Sequence, residues 1–276
     1  MGSQATEPDA RPVLFFDIDN CLYPRSKASH NNKVFKSCSR PLTSVSIGSK
    51  VHDMMAKLID EYFAKHLGLS EADATRLHED YYKNYGLAIE GLVRFHKIDP
   101  LDYNAKVDDA LPLEDVIKPN PQLRKMLEDI DKSKVKLWLL TNAYVNHARR
   151  VVRLLGIEDL FEGLTYCNYS EVPFLCKPHP DMYAKAMREA GVERPEDCYF
   201  VGTYLKLVYL MSSVIRSSYL TDDSFGNCVA SQKLGWTTAH LVEEDVPEPP
   251  TKASKYQITT LEELRNIYSQ FFKAST

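Results

Sequence analysis

Phe15-Phe16-Asp17-Ile18-Asp19-Asn20-Cys21-Leu22-Tyr23 follows directly on Val13-Leu14, so an apolar run ends in two carboxylates two positions apart. The run predicts a buried parallel strand whose C-terminal end presents acid. Side chains alternate along an extended backbone, which puts Asp17 and Asp19 on one side and Ile18 on the other. Open α/β sheets carry their chemistry at that edge. Two neighbouring carboxylates repel unless a cation or a shared proton relieves them. A divalent metal with a phosphate substrate meets that need.

Three later stretches support this reading in chain order. Lys136-Leu137-Trp138-Leu139-Leu140-Thr141-Asn142 is a second apolar strand, ending in a hydroxyl. Cys176-Lys177-Pro178-His179-Pro180 places a lysine just before a helical run at residues 181–190. Thr221-Asp222-Asp223-Ser224 supplies a second acidic pair. Together these stretches resemble the four motifs of the haloacid dehalogenase superfamily. Asp17 to Tyr23, then Val51-His52-Asp53-Met54-Met55, then Tyr82-Lys83-Asn84-Tyr85-Gly86-Leu87-Ala88-Ile89-Glu90-Gly91-Leu92, resemble its fungal pyrimidine 5'-nucleotidase branch. The resemblance covers residues 12–272. Cys21 stands where that branch carries threonine or valine, a packing position.

Composition is that of an ordinary soluble globular protein. The 276 residues suffice for a core domain with a smaller insert. A net charge of -4 and the lack of a basic patch interleaved with aromatics argue against a nucleic-acid polymer as partner. No apolar run is long enough to span a bilayer. The six cysteines show no CxxC spacing and no secretory leader precedes them, so reduced thiols are expected. A cytoplasmic location follows, with the nucleus also open.

Alternation of strands with helices predicts an α/β fold, a Rossmann-like doubly wound parallel sheet. Strands are expected at residues 13–17, 136–142, 164–167, 199–201 and 237–242. Helices are expected at 122–131, 147–155 and 181–190, the last two closed by Gly156 and Gly191. Residues 51–113 carry apolar side chains at helical spacing, and Ser70-Glu71-Ala72-Asp73 opens a helix within them. The resemblance implies an α-helical cap inserted there. The expected organisation is residues 11–25 as the first part of the core, 49–117 as the cap and 118–272 as the rest of the core.

Two stretches break this pattern, residues 26–48 and residues 202–221. The second interrupts the last motif, where Tyr199-Phe200-Val201 would otherwise run straight into Asp222-Asp223-Ser224. Both accept codons that place a GT donor and an AG acceptor in frame. We read them as suspect insertions, translated from retained introns. Were residues 202–221 native, the protein would be an inactive fold of the same family, serving in binding.

The resemblance implies phosphoryl transfer through an aspartyl-phosphate. It makes Asp17 the nucleophile and Asp19 the general acid–base. Thr141 would bind phosphoryl oxygens, and Lys177 would balance their charge. Mg²⁺ would be held by the Asp17 side chain, the Asp19 carbonyl and Asp223, with Asp222 behind it. Asn142 and Asn227 would support the site, with Asn142 also binding substrate. Tyr85 and Gly86, beside a tight turn of the cap, are the remaining candidates for substrate contact. The expected substrates are nucleoside 5'-monophosphates, UMP and CMP first. Other small phosphomonoesters, such as lysophosphatidic acid or sugar phosphates, are the alternative. Oligomeric state is not readable.

Overall fold

A computed structural model describes residues 9–23, 47–203, 223–242 and 251–274. The stretches read as suspect insertions lie almost wholly outside the described residues, and so does Asp222. Their described ends differ from expectation: the first helix opens at Ile47, and the fourth strand runs on through Gly202 and Thr203.

Six strands form one sheet, all neighbours parallel: β1 Val13–Phe16, β2 Lys136–Leu140, β3 Gly163–Thr165, β4 Cys198–Thr203, β5 Thr237–Leu241 and β6 Tyr256–Ile258. Their order is β3-β2-β1-β4-β5-β6. The chain leaves β1 in one direction and returns to its other side at β4. The order therefore reverses at β1, and a crevice opens at the C-terminal ends of the strands there. This is the Rossmann-like α/β architecture the strand–helix alternation predicts.

Period-two alternation explains why β1 is apolar throughout. Leu14 and Phe16 enter one core, with Leu123, Met126 and Leu127 of α6 (Pro121–Glu128) and Val151 and Val152 of α7 (Val145–Leu154). Val13 and Phe15 enter the other, with Met182, Tyr183 and Ala186 of α8 (Pro180–Ala190), and with Trp236. Each strand residue is thus buried on one face or the other. α9 (Asp223–Lys233) and α10 (Leu264–Ile267) complete the core.

Between β1 and β2 lie α1 (Ile47–Leu67), α2 (Glu71–Tyr85), α3 (Ala88–His96), α4 (Pro100–Lys106) and α5 (Leu113–Val116). They build a core of their own from Ile59, Phe63, Tyr81, Ile89, Leu92 and Tyr103. Local chemistry sets their ends. Ser70 caps α2 by accepting from the Asp73 amide, and Gly86 closes it at φ 78°, a left-handed position where glycine carries no steric cost. Among the described residues, no helix is long and apolar enough to cross a membrane.

Several bounds differ from those read in the sequence. β2 stops at Leu140, so Thr141 and Asn142 sit on the loop beyond it. β3 begins one residue early and ends at Thr165, and β4 is longer at both ends. α9 and β6 were not expected.

Candidate active site

β1 ends at Phe16, and the Asp17 amide still donates to the Val201 carbonyl of β4 at 3.0 Å. Asp17 is therefore fixed at the sheet edge where the strand order reverses. Beyond it the chain turns sharply. The amides of Cys21 and Leu22 both donate to the Ile18 carbonyl, and Asn20 takes φ 59°. Asparagine tolerates that left-handed conformation better than most residues. The turn carries Asp19 into the same cleft as Asp17.

Lys177 comes to the first carboxylate from the turn that leads into α8. Its Nζ lies 2.8 Å from Asp17 Oδ2 and donates to the Leu140 carbonyl at 2.9 Å. The pair is sealed, with 1% of the lysine side chain and 11% of the aspartate side chain exposed. Burial pushes the Asp17 carboxyl above its ordinary range, while the Lys177 charge and hydrogen bond pull against it. Thr141 is buried at the end of β2, and its Oγ1 accepts from the Ala143 amide at 3.0 Å. Asp17, Asp19, Thr141, Asn142 and Lys177 all line one cleft.

Asn142 has a task beside the substrate contact expected of it. Its Oδ1 accepts from the Lys177 amide at 2.7 Å, and its Nδ2 donates to the Lys177 carbonyl at 2.8 Å. Both ends of the amide pin the lysine backbone, which makes Asn142 a positioning residue, and one N–H and one oxygen lone pair stay open toward the cleft it lines.

Asp19 has partners the sequence did not reveal. Its Oδ1 accepts from the Tyr23 hydroxyl at 2.6 Å and meets His147 Nε2 at 2.8 Å. Burial raises the Asp19 carboxyl, but the charge and hydrogen bond of His147 and the Tyr23 hydroxyl outweigh it and hold the group below its ordinary value. Burial alone would lower His147, yet Asp19 and Asp108 hold it above its usual value. A proton shared by this pair belongs to both residues. His147 is 1% exposed on α7 beside Ala148, Val151 and Val152. A histidine on such a face reads as core in a sequence, and only its position five residues beyond Asn142 hints at the site.

The helical residues form the roof. His78, Glu79, Tyr82 and Gly86 line the cleft, a stripe along one face of α2. Gly86 is thus where it was expected, but Tyr85 is not among the lining residues. Tyr85 lies on the neighbouring stripe, with Tyr81 at 6.0 Å, Phe95 at 5.9 Å and the Arg94 guanidinium 5.0 Å over its ring. A helix places residues four apart on one face, so Tyr81 and Tyr85 go together and Tyr82 turns inward.

Whether a hard cation fits is judged on the oxygens present. Asn227 lines the same cleft as Asp17, and its buried Oδ1 has no hydrogen-bond partner among the described residues. A lone oxygen in a cleft that also holds a buried carboxylate suits Mg²⁺, which takes oxygen ligands. Among the described residues no group of three or more His, Cys, Asp or Glu forms a metal site. Of the expected acidic ligands, Asp222 lies outside the described residues. Asp223 opens α9.

Comparisons with known proteins agree with this geometry. A family model for haloacid dehalogenase-like hydrolases matches residues 12–202. Phosphate metabolism protein 8 of Saccharomyces cerevisiae is 40% identical over 204 residues, which cover 71% of this chain and 57% of the yeast protein. The match thus spans a little over half the length of that curated relative. Among solved structures, a HAD phosphatase from Thermococcus onnurineus superposes with TM-score 0.54 at 17% identity, covering 93% of this chain and 97% of its own. CbbY from Rhodobacter sphaeroides, in complex with phosphate, gives TM-score 0.55 at 14% identity over 92% and 96% of the two chains. These two likenesses show the fold alone.

Proposed function

The chain belongs to the haloacid dehalogenase-like hydrolases, and on that premise we propose that it is a Mg²⁺-dependent phosphomonoester hydrolase acting on nucleoside 5'-monophosphates, UMP and CMP first. The observation that carries this reading is the convergence of Asp17, Lys177, Thr141 and Asp19 at the reversal point of a parallel sheet. The yeast relative's name, which speaks of phosphate metabolism, supports the phosphate half of it. Besides Tyr23, which is bonded to Asp19, the tyrosines lining the cleft are Tyr82, Tyr103 and Tyr169, and they support a leaving group that carries an aromatic base.

In the proposed reaction an Asp17 carboxylate oxygen attacks phosphorus. A phosphorus–oxygen bond to Asp17 forms as the ester bond breaks, and the departing oxygen takes a proton. Water then attacks the aspartyl-phosphate, losing a proton as the bond to Asp17 breaks and inorganic phosphate leaves. Lys177 balances charge on the nucleophile and on the transferring group. Thr141 offers its hydroxyl to a phosphoryl oxygen, and Asn142 keeps Lys177 in place.

Asp19 delivers and recovers the proton. Held below its usual range, it stores a proton poorly by itself. His147, held above its range and 2.8 Å away, is the better store, so the pair works as one acid–base unit. Asp17 and Asn227 would contribute to holding Mg²⁺, with Asp223 and Asp222 as further ligands. When bound, the cation neutralises the repulsion between the phosphate dianion and Asp17.

The test is phosphate release from UMP, CMP, ribose 5-phosphate and 4-nitrophenyl phosphate, with and without Mg²⁺. Release from UMP and CMP above the other two, dependent on Mg²⁺, is expected. No release from any ester would overturn the hydrolase reading. A preference for ribose 5-phosphate would overturn the nucleotide.

A further inference from the structure

Asp108 and Asp109 are neighbours in the turn after α4, yet their surroundings are reversed from the usual arrangement. Asp109 is exposed and accepts from Asn104 Nδ2 at 2.9 Å and Asn146 Nδ2 at 3.2 Å. Asp108 is 5% exposed and lines the cleft, and no hydrogen-bond donor among the described residues meets its carboxylate. Buried polar groups are almost always paired, and one that is not calls for an explanation. The Asp108 oxygens are not sealed in the core, because they are absent from the fully enclosed atoms that lack a partner. Their open side is the cleft.

The position of Asp108 says what should meet it. It lines the same cleft as Asp19 and His147, the pair proposed to serve the leaving oxygen, and both of their charges act on it. Glu79, also without a hydrogen bond among the described residues, lines the roof. Lys177 is the single lysine or arginine among the described lining residues, and it is committed to Asp17. Of the lining histidines, His147 is committed to Asp19 and His78 to Asp60, so the leaving-group end offers acceptors more readily than cations. A neutral alcohol with its own hydroxyls suits it, and an alcohol bearing a second anion does not.

Resting on the phosphomonoesterase reading, we propose that Asp108 is a specificity-determining residue whose carboxylate accepts hydrogen bonds from the hydroxyls of a sugar-like leaving group. An acceptor left unpaired by a substrate lacking those hydroxyls penalises that substrate, which is how a polar pocket rejects a deoxy analogue.

The experiment compares uridine with 2',3'-dideoxyuridine, and UMP with its 2',3'-dideoxy counterpart, on the full chain. Calorimetric affinity is measured for the nucleosides, and the ratio of kcat/KM for the nucleotides. Wild type is expected to favour the hydroxylated member roughly 10- to 100-fold, the range of a hydrogen bond to a charged group. Asp108→Ala should bring the ratio close to one. Asp108→Asn, which keeps one acceptor and nearly the same shape, should fall between. The ratio divides out any general loss of turnover, and the wild-type preference is read without any variant.

No preference in wild type, no binding of uridine, or a ratio unchanged by Asp108→Ala would each overturn the proposal. Uridine preference without UMP hydrolysis would sink the phosphomonoesterase reading and leave Asp108 its role. Hydrolysis of UMP with a ratio that ignores Asp108 would do the reverse.

Discussion

The floor of the cleft and its leaving-group end treat polar groups in opposite ways. On the floor every charged group has a partner: Asp17 with Lys177, Asp19 with His147 and Tyr23, and the Lys177 backbone with Asn142. At the other end Asp108 has none among the described residues, although it is at least as buried as Asp17. A closed network holds a fixed geometry, which suits chemistry that is the same for every substrate. An open acceptor costs stability until a ligand arrives, which suits discrimination between substrates. Floor variants should therefore damage turnover of all esters, and variants of the other end should act on stability and choice.

The largest effect is expected from Asp17→Asn. Amide nitrogen and oxygen replace the attacking carboxylate, so turnover of any phosphomonoester should drop to background. The change also leaves Lys177 buried without its countercharge, which typically costs about 3 kcal/mol or more. Thermal unfolding should show that loss, and Lys177→Met added to Asp17→Asn should recover part of it. Turnover of the single variant near wild type would remove the nucleophile from the floor.

His147→Gln comes next. Glutamine can still donate a hydrogen bond to Asp19 but cannot hold a proton for it. Loss of a general acid–base contribution predicts a fall of roughly 10²–10⁴-fold in kcat. The pH profile sharpens the test. His147 holds the Asp19 carboxyl below its ordinary value. Without it, Asp19 alone must hold the proton it delivers, a carboxyl in place of an imidazolium, and the basic limb of kcat/KM should move to lower pH. An unmoved limb would mean that His147 merely packs.

Asn142→Ala removes two hydrogen bonds from the Lys177 backbone. At about 1 kcal/mol each, the loss of stability should be about 2 kcal/mol. A lysine displaced by about an ångström predicts a fall of up to roughly 10²-fold in turnover. The fall should be alike for UMP and 4-nitrophenyl phosphate. A KM effect confined to UMP would return Asn142 to the substrate contact first expected of it.

Much of the floor was legible in the sequence, because the strands that build it are continuous apolar runs. Asp17, Thr141 and Lys177 each follow such a run or precede a helix, so their meeting at one edge follows from a parallel sheet. His147 was not legible, since its neighbours on α7 make it look like core. Asp108 was hidden for the opposite reason. An acidic pair in a turn reads as solvated, and nothing in Val107-Asp108-Asp109-Ala110 tells which carboxylate turns inward. The turn at Gly86 draws attention to Tyr85 beside it, but which face of α2 meets the cleft is set by tertiary packing, which spacing alone leaves open. β6 spans three residues, too few to show a period.

Asp108→Asn tests the cost of the open acceptor directly. Burial pushes the Asp108 carboxyl up to about 6 from an ordinary 3.8. A carboxyl raised on folding destabilises the folded state wherever it is ionised, and the penalty disappears as pH falls through the folded value. A shift of about two units corresponds to about 3 kcal/mol. Asp108→Asn should therefore be more stable than wild type at pH 7 by up to about that amount. The gap should narrow from pH 6 downward and close near pH 4. Denaturant midpoints across this range would show it. A variant less stable than wild type at pH 7 would mean that Asp108 is held by the fold rather than kept for a ligand.

The smallest effect is expected from Tyr85→Leu, paired with Tyr82→Leu on the neighbouring stripe of α2. Tyr85 packs among Tyr81, Phe95 and Arg94. Losing the ring forfeits a cation–π contact and aromatic packing at a partly exposed site, about 1 kcal/mol in all. Since Tyr85 does not line the cleft, kcat/KM for UMP should stay within about twofold of wild type. Tyr82 does line it, and its variant should alter KM for UMP more than for 4-nitrophenyl phosphate. Steady-state kinetics on the two variants, with unfolding curves as the check on folding, separates the faces. If Tyr85→Leu costs more in kcat/KM than Tyr82→Leu, then α2 presents its other stripe to the substrate. The leaving-group end would have to be redrawn around Tyr85, while the network of the floor, which no residue of α2 enters, would stand as it is.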